Sequence, residues 1–170
     1  MTATYRDATP ADAAEIGAVA TQAYLETFEG LYRQGDLDAF LPAAFGPTGL
    51  QAHLSQPPYT VRVATDAAAI VGFAKLGPVA FPGEWPAGAT ELHQLYVLKP
   101  YLGAGIGPAL LDWAIDTARR AAATELLLSV YVDNHRAKRF YQRYGFVDIG
   151  RHDFAVGSTI DEDRLMRLVL

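Results

Sequence analysis

The 170 residues are 51% hydrophobic and 19% charged, the make-up of one globular domain, 1–170, large enough to bury a substantial core. The absence of cysteine excludes disulfides, thiolate metal sites and a cysteine nucleophile. The net charge of −5 resides wholly in residues 1–60, where two basic side chains face seven acidic ones; this disfavours a nucleic-acid partner and suits solvated helix faces or a cationic small molecule.

Taken in chain order, TATYRDAT (2–9) alternates and predicts a short strand. Thr9 has the character of an N-cap, with Pro10 in the first turn and Asp12 near the positive end of the helix dipole. Ile16, Val19, Ala20, Ala23, Tyr24 and Thr27 then recur at helical spacing. The pattern breaks around EGLYRQGD (29–36), and LDAFLPAAF (37–45) predicts a second helix interrupted by Pro42 and Gly46. PPYTVRVATD (57–66) and AAIVGFAKLG (68–77) predict strands joined by a tight turn around Asp66 and Ala67. The loop PVAFPGEWPAGA (78–89) carries Phe81 and Trp85, as a substrate lid, a partner contact or rings packed over the core.

TELHQLYVL (90–98) predicts a strand, and a helix follows from about Ile106 to Ala122 with Trp113 on its inner face. ELLLSVYV (125–132) is a continuous apolar run, expected of a strand buried on both faces. NHRAKRFYQRYG (134–145) places Ala137, Phe140, Tyr141 and Tyr144 on one side of a short helix and Arg136, Arg139 and Arg143 on the other, with Gly145 as its stop. FVDIGRHDFAV (146–156) and DRLMRLVL (163–170) predict two antiparallel strands. The sum is a mixed α/β chain. No apolar run approaches a membrane span, and the N-terminus lacks a leader pattern, so a cytoplasmic location without membrane partners is expected. His53, His93, His135 and His152 show no metal-ligand spacing, and no metal is expected.

The stretch LKPYLGAGIGPALLDW (98–113) sets Gly103, Gly105 and Gly107 where a strand gives way to a helix. A dinucleotide fingerprint reads G-x-G-x-x-G, whereas this one reads G-x-G-x-G, follows four strand-like segments, and has Leu127 where an acidic residue belongs. A nicotinamide or flavin site is therefore not expected. A helix start preceded by bare backbone offers unpaired N–H groups and a positive dipole end to a phosphate, and Pro108 fits its first turn.

Together, ELHQLYVLKPYLGAGIGPALL and VYVDNHRAKRFYQRYGF resemble the GCN5-related N-acetyltransferase (GNAT) superfamily, specifically over residues 89–150 and loosely before them. The resemblance rests on a strand ending in hydrophobic-x-Val, a turn of pattern Arg/Gln-x-x-Gly-x-Gly/Ala, and Asn-x-x-Ala-x-x-Phe-Tyr-x-x-x-Gly-Phe. The last is matched by Asn134, Ala137, Phe140, Tyr141, Gly145 and Phe146. It implies a mostly antiparallel, twisted central sheet with splayed fourth and fifth strands and flanking helices. It also implies acetyl-coenzyme A as cofactor, transfer to a primary amine, and homodimers as a frequent assembly. The pyrophosphate turn would be Leu102, Gly103, Ala104, Gly105, Ile106, Gly107 and Pro108; Leu102 departs from the family's polar first position, with Lys99, Arg136 or Arg139 as compensating charges.

A primary amine with pKa near 10.4 is about 99.9% protonated at neutral pH, so transfer needs a base, a donor for the developing oxyanion, and a proton for the leaving thiolate. By resemblance Glu91, six residues before Val97, is the base, acting directly or through water; an exposed glutamate at a strand start is the alternative. Strand alternation sets Glu91, His93, Leu95 and Val97 on one face and Leu92, Gln94 and Tyr96 on the other. The resemblance puts the oxyanion donor, at a bulge, near Tyr96 or Val97, and pairs Leu95, Tyr96 and Val97 with the pantetheine arm. It makes Tyr141 the proton donor to sulfur, with simple core packing as the alternative. Asn134 binds pantetheine, caps a helix, or does both, with Ala137 beside it. Tyr24, Phe28, Glu29, Tyr32 and His93 form the candidate acceptor pocket, and spermidine-like amines are the leading substrate guess from resemblance to the branch that includes polyamine acetyltransferases. Protein lysine or N-terminal acetylation would need an open peptide groove; a silent acyl-coenzyme A-binding module would bind without turnover, and having both Glu91 and Tyr141 speaks against it.

Overall fold

The computed structural model describes residues 2–170. Seven strands share one sheet: β1 (Thr4–Asp7), β2 (Thr60–Asp66), β3 (Ala69–Gly77), β4 (Ala89–Val97), β5 (Glu125–Tyr131), β6 (Val147–Val156) and β7 (Thr159–Val169), in the order β1-β2-β3-β4-β5-β7-β6. Every neighbouring pair is antiparallel except β4 with β5, which run parallel.

Among the described residues the α-helices are α1 (Ala13–Phe28), α2 (Gln34–Phe45), α3 (Leu50–His53), α4 (Ile106–Arg120) and α5 (His135–Arg143). Burial separates them into two layers. On one face, Leu110, Leu111, Ala114 of α4 and Tyr141 of α5 pack with Leu92, Leu126 and Leu128 of the sheet. On the other, Ile16, Ala20 and Tyr24 of α1, Phe45 of α2 and Leu50 of α3 pack with Val63 and Phe73. The sheet is thus apolar on both sides, and β5 reads as a near-continuous apolar run because it lies inside the sheet, between β4 and β7.

Thr9 starts a single 3-10 turn that leads into α1; its backbone N–H and hydroxyl both donate to Asp12, which also receives two hydrogen bonds from Arg6. Two boundaries differ from the sequence expectation. Helix α2 starts at Gln34 rather than Leu37 and runs through Pro42. Its first turn is held from outside, since buried Asp36 accepts from the backbone N–H and hydroxyl of Ser158 and from the Thr159 hydroxyl. Strand β7 begins at Thr159, not Asp163, because a tight turn at Gly157 pairs Val156 with Thr159 and extends the hairpin.

Two features position the site. The parallel pairing of β4 with β5 spans only Ala89–Glu91 against Glu125–Leu127, so beyond Glu91 the two strands diverge. In β4 the register against β3 slips between Leu92, which pairs Leu76, and Gln94, which pairs Lys75, leaving His93 as an extra residue.

Candidate active site

The bulge at His93 corrects two expectations. The irregularity lies there and not near Tyr96–Val97. One extra residue reverses the side-chain alternation after it, so Leu95 and Val97 pack with Leu92 in the α4 layer, while Tyr96 joins the α1–α2 layer. Glu91 and His93 therefore do not share a face with Leu95 and Val97; their near neighbours are Lys75, on the face of β3 that also carries Phe73, and the 78–88 loop.

Where β4 and β5 part, a cleft of about 730 Å³ opens, lined among others by Leu95, Tyr96, Val97, Leu102, Gly103, Gly105, Gly107, Pro108, Asn134, Ala137 and Tyr141. Lys99, Arg136, Arg139 and Arg143 also line it, against the single carboxylate of Glu26, which accepts the backbone N–H of Lys99 at 2.8 Å. The arginine face of α5 therefore lies along the cleft. Leu102, 41% exposed at its rim, contributes no polar group.

Gly103 and Gly105 hold φ values of +84° and +83°, the left-handed conformation that side chains disfavour, and Gly105 caps α4. Among the described residues, the N–H groups of Gly103, Gly105, Ile106 and Gly107 find no hydrogen-bond partner in the turn. Ala104 and Ile106, expected in the same turn, are not among the residues that line the cleft. The Ala104 N–H is used by the Tyr101 carbonyl, and the Ile106 side chain is buried in the core, leaving its N–H alone for a ligand.

Asn134 caps α5 by accepting the Ala137 N–H at 3.1 Å through Oδ1, which leaves its side-chain NH2 for another partner. Tyr141, 9% exposed, reaches the cleft from α5, and burial raises its hydroxyl pKa above the ordinary value, so it keeps its proton. Gly145, at φ +93°, ends α5 through N–H bonds from Gly145 and Phe146 to the carbonyls of Gln142 and Tyr141.

Glu91 is buried, not exposed. Its Oε2 accepts the Ala80 N–H at 2.8 Å, and its Oε1 lies 3.2 Å from His93 Nδ1. His93 Nε2 lies 2.9 Å from the Pro78 carbonyl oxygen, which can only accept, so Nε2 carries the hydrogen. A neutral ring then presents a bare Nδ1 to Glu91, an acceptor for the proton of a protonated carboxyl. Burial raises Glu91 to about 7, against the lowering effects of the Ala80 N–H and Lys75. Burial lowers His93 to about 4, helped by the Lys75 charge. The proton therefore sits on the carboxyl below neutral pH, and above it Glu91 is a carboxylate able to accept one. Lys75, 3% exposed, completes the cluster with its Nζ 2.5 Å from His53 Nδ1 and over the Tyr59 ring.

Of the residues expected at the acceptor pocket, Tyr24, Phe28 and Tyr32 converge, with ring centroids 4.7 Å (Tyr24–Phe28) and 6.2 Å (Tyr24–Tyr32) apart. Glu29, at the exposed end of α1, and His93, bound to Glu91 and Pro78, do not join them. Phe40, Tyr131 and Phe154 do, and Tyr32 donates to Asp161. In the loop carrying Phe81 and Trp85 both rings are half-buried, and Phe81 stands 5.1 Å from the His152 ring of β6. Sequence reasoning passed over Asp161 and Asp163, although their spacing of two within a strand puts both on one face.

The family profile described as "Acetyltransferase (GNAT) family" matches residues 20–146. An uncharacterised N-acetyltransferase of Mycobacterium bovis is 29% identical over 155 residues, covering 91% of this chain and 96% of that one. Among solved structures, the PaiA N-acetyltransferase of Thermoplasma acidophilum in complex with coenzyme A superposes with a TM-score of 0.80 at 20% identity over the whole of both chains. YncA from Salmonella typhimurium, solved with its cofactor acetyl-CoA, gives 0.69 at 22% identity, covering 100% of this chain and 95% of that one.

Proposed function

Because the chain belongs to the acetyltransferase (GNAT) family, we propose that it moves an acetyl group from acetyl-coenzyme A to a primary amine of a small substrate. The observation that carries this reading is the cleft at the β4–β5 divergence, which joins an anion cradle to a proton donor at Tyr141. Acetyl-coenzyme A supplies the activated thioester. The residues present suit it: free N–H groups at the start of α4 and four basic side chains meet phosphates, and the open edge of β4 meets an amide-bearing arm that the Asn134 NH2 can also bind. Leu102 removes one side-chain donor but no backbone one.

Glu91, at about 7, takes the amine proton directly or through water, and His93 holds its carboxyl in place. A backbone N–H of the unpaired part of β4 faces the developing oxyanion. Tyr141 hands its retained proton to the departing sulfur. The acceptor enters from the α1–α2 face, among Tyr24, Phe28 and Tyr32. The 78–88 loop, packed on His152 through Phe81, favours a small amine above a peptide, and the rings of Tyr24, Phe28 and Tyr32 would meet a cationic chain.

The test is kinetic, with acetyl-coenzyme A and a panel of polyamines, amino acids, aminoglycosides and peptides, and with Glu91→Gln and Tyr141→Phe in parallel. The variants should bind coenzyme A as wild type does and lose roughly 10²-fold or more in kcat with the best acceptor. If neither loses even about tenfold, the assigned roles are wrong.

A further inference from the structure

Beside Glu91 lies a cation that does not pair with it. Lys75 of β3 stands opposite Gln94 of β4, and Glu91 stands opposite Gly77, the next residue on that face of β3. Lys75 and Glu91 are therefore diagonal neighbours, within reach of a long side chain. The charge of each acts on the other. Yet among the described residues no carboxylate lies within ion-pair distance of Lys75, although it is 3% exposed. A buried ammonium beside a buried carboxylate ordinarily closes into an ion pair, because each is costly to bury alone.

What Lys75 does instead is set by the end of α3 and the chain that follows it. Its Nζ lies 2.5 Å from His53 Nδ1 and 4.8 Å from the centroid of the Tyr59 ring. The His53 and Tyr59 rings stack with centroids 4.0 Å apart, and Tyr59 meets the His93 ring edge-on at 5.6 Å. Gly77 leaves the space for this packing, since a Cβ there would collide with the Tyr59 ring and crowd His93 Nε2. Burial lowers Lys75 to about 8, against the raising charge of Glu91, so at neutral pH it is a cation that can only donate. Burial and the Lys75 charge both lower His53, so its ring is neutral there and Nδ1 is bare to accept. On its other side Glu91 is in register with Leu127 of β5. Arg167, opposite Leu127 on β7, reaches Glu125 at 3.9 Å instead.

We propose that His53 is a positioning residue for the base: by accepting from Lys75, it holds the ammonium away from Glu91 and leaves that carboxylate free to take a proton. The inference rests on the reading of Glu91 as the base in amine acetylation. Without the Nδ1 acceptor, the flexible Lys75 stem swings to Glu91 and closes the ion pair. An ion-paired carboxylate releases its proton at lower pH and is a weaker base. Removing His53 and removing Lys75 therefore act on Glu91 in opposite directions. The first brings the cation nearer, and the second takes it away.

The experiment uses the full chain with two substitutions at one position. His53→Phe keeps a ring to stack on Tyr59 but has no acceptor, whereas the Oδ1 of His53→Asn supplies one near the place of Nδ1. The first is also combined with Lys75→Met. The pH profile of kcat/KM is measured, and the Glu91 carboxyl is titrated by NMR with labelled glutamate, its resonance identified through Glu91→Gln. His53→Phe should move the acid limb and the carboxyl titration down by about 1–3 pH units, and lower kcat at pH 8 by about tenfold. His53→Asn should return both to the wild-type position, and with Lys75→Met already present His53→Phe should shift neither. His53→Ala serves if the phenylalanine variant does not fold. An unmoved or raised limb, or the same downward shift without Lys75, overturns the inference and leaves amine acetylation standing. If no amine is acetylated, the functional reading falls and the titration decides the inference alone. A carboxyl lowered by His53→Phe but not by His53→Asn supports it, and one that stays in place overturns it.

Discussion

Replacing Glu91 with glutamine isolates the proton that the Glu91–His93 pair holds. The exchange preserves the local geometry, since a side-chain amide oxygen accepts the Ala80 N–H and its NH2 donates to the bare Nδ1 of His93. Unfolded, Glu91 loses its proton near its ordinary 4.5; folded, it keeps it to about 7. The folded pKa is raised, so this group's contribution is full below pH 4.5 and is lost as pH rises through 7, a change of roughly 3 kcal/mol. His93 runs the other way. Held at about 4 instead of 6.5, it costs stability at low pH, and that cost fades as pH rises to 6.5. In the wild type the two nearly offset between pH 4.5 and 6.5, because the pair carries one proton folded or unfolded. Glu91→Gln removes only the first effect. Urea denaturation at pH 5 and pH 8 should show the variant gaining roughly 3 kcal/mol on wild type between them, while acetyl transfer falls by about 10²-fold or more. A stability difference that does not change with pH would refute the buried-proton argument.

Lys75→Met removes the cation that lowers Glu91, so the acid limb of the kcat/KM profile should move to higher pH; an unmoved limb would separate Lys75 from the base. Gly105→Ala meets no atom within 4 Å but forces a side chain to φ +83°, which should cost about 1–2 kcal/mol in thermal unfolding and weaken coenzyme A binding in calorimetry. If binding and melting stay at wild-type values, the cradle does not depend on that conformation. Arg136→Ala combined with Arg139→Ala should weaken coenzyme A about tenfold at low ionic strength and less at high salt, whereas a salt-independent loss would point to packing.

The order of strands and helices was legible because each core element carries a clean period: helical spacing from Ile16 to Thr27, an unbroken apolar run in β5, and an apolar stripe on α5 ended by Gly145. The glycine turn before α4 and the Asn134 cap were legible through local rules for helix starts and caps. What escaped was set by contacts distant in sequence. The early start of α2 depends on Asp36 meeting Ser158 and Thr159, and no local signal carries that meeting. The bulge at His93 shows only in the pairing of Lys75 and Leu76, and it undid an alternation that looked regular along β4. Burial of Glu91 comes from the loop that brings Ala80 and Pro78 over it, and the loop's proline and glycine content does not reveal where it folds. Asp161 and Asp163 stood in a segment whose charges resembled a solvated strand, and only the aromatic side of α1 and α2 turns that face into an interior.

The most direct measurement follows both products of a single reaction. Acetyl-coenzyme A labelled in its acetyl carbons is mixed with the protein and a small amine, and free thiol and labelled N-acetyl product are quantified together. Direct transfer predicts one labelled amide for each thiol released, with both abolished together in Tyr141→Phe combined with Glu91→Gln. Thiol release without a labelled amide, or neither product despite saturated coenzyme binding, would contradict the account.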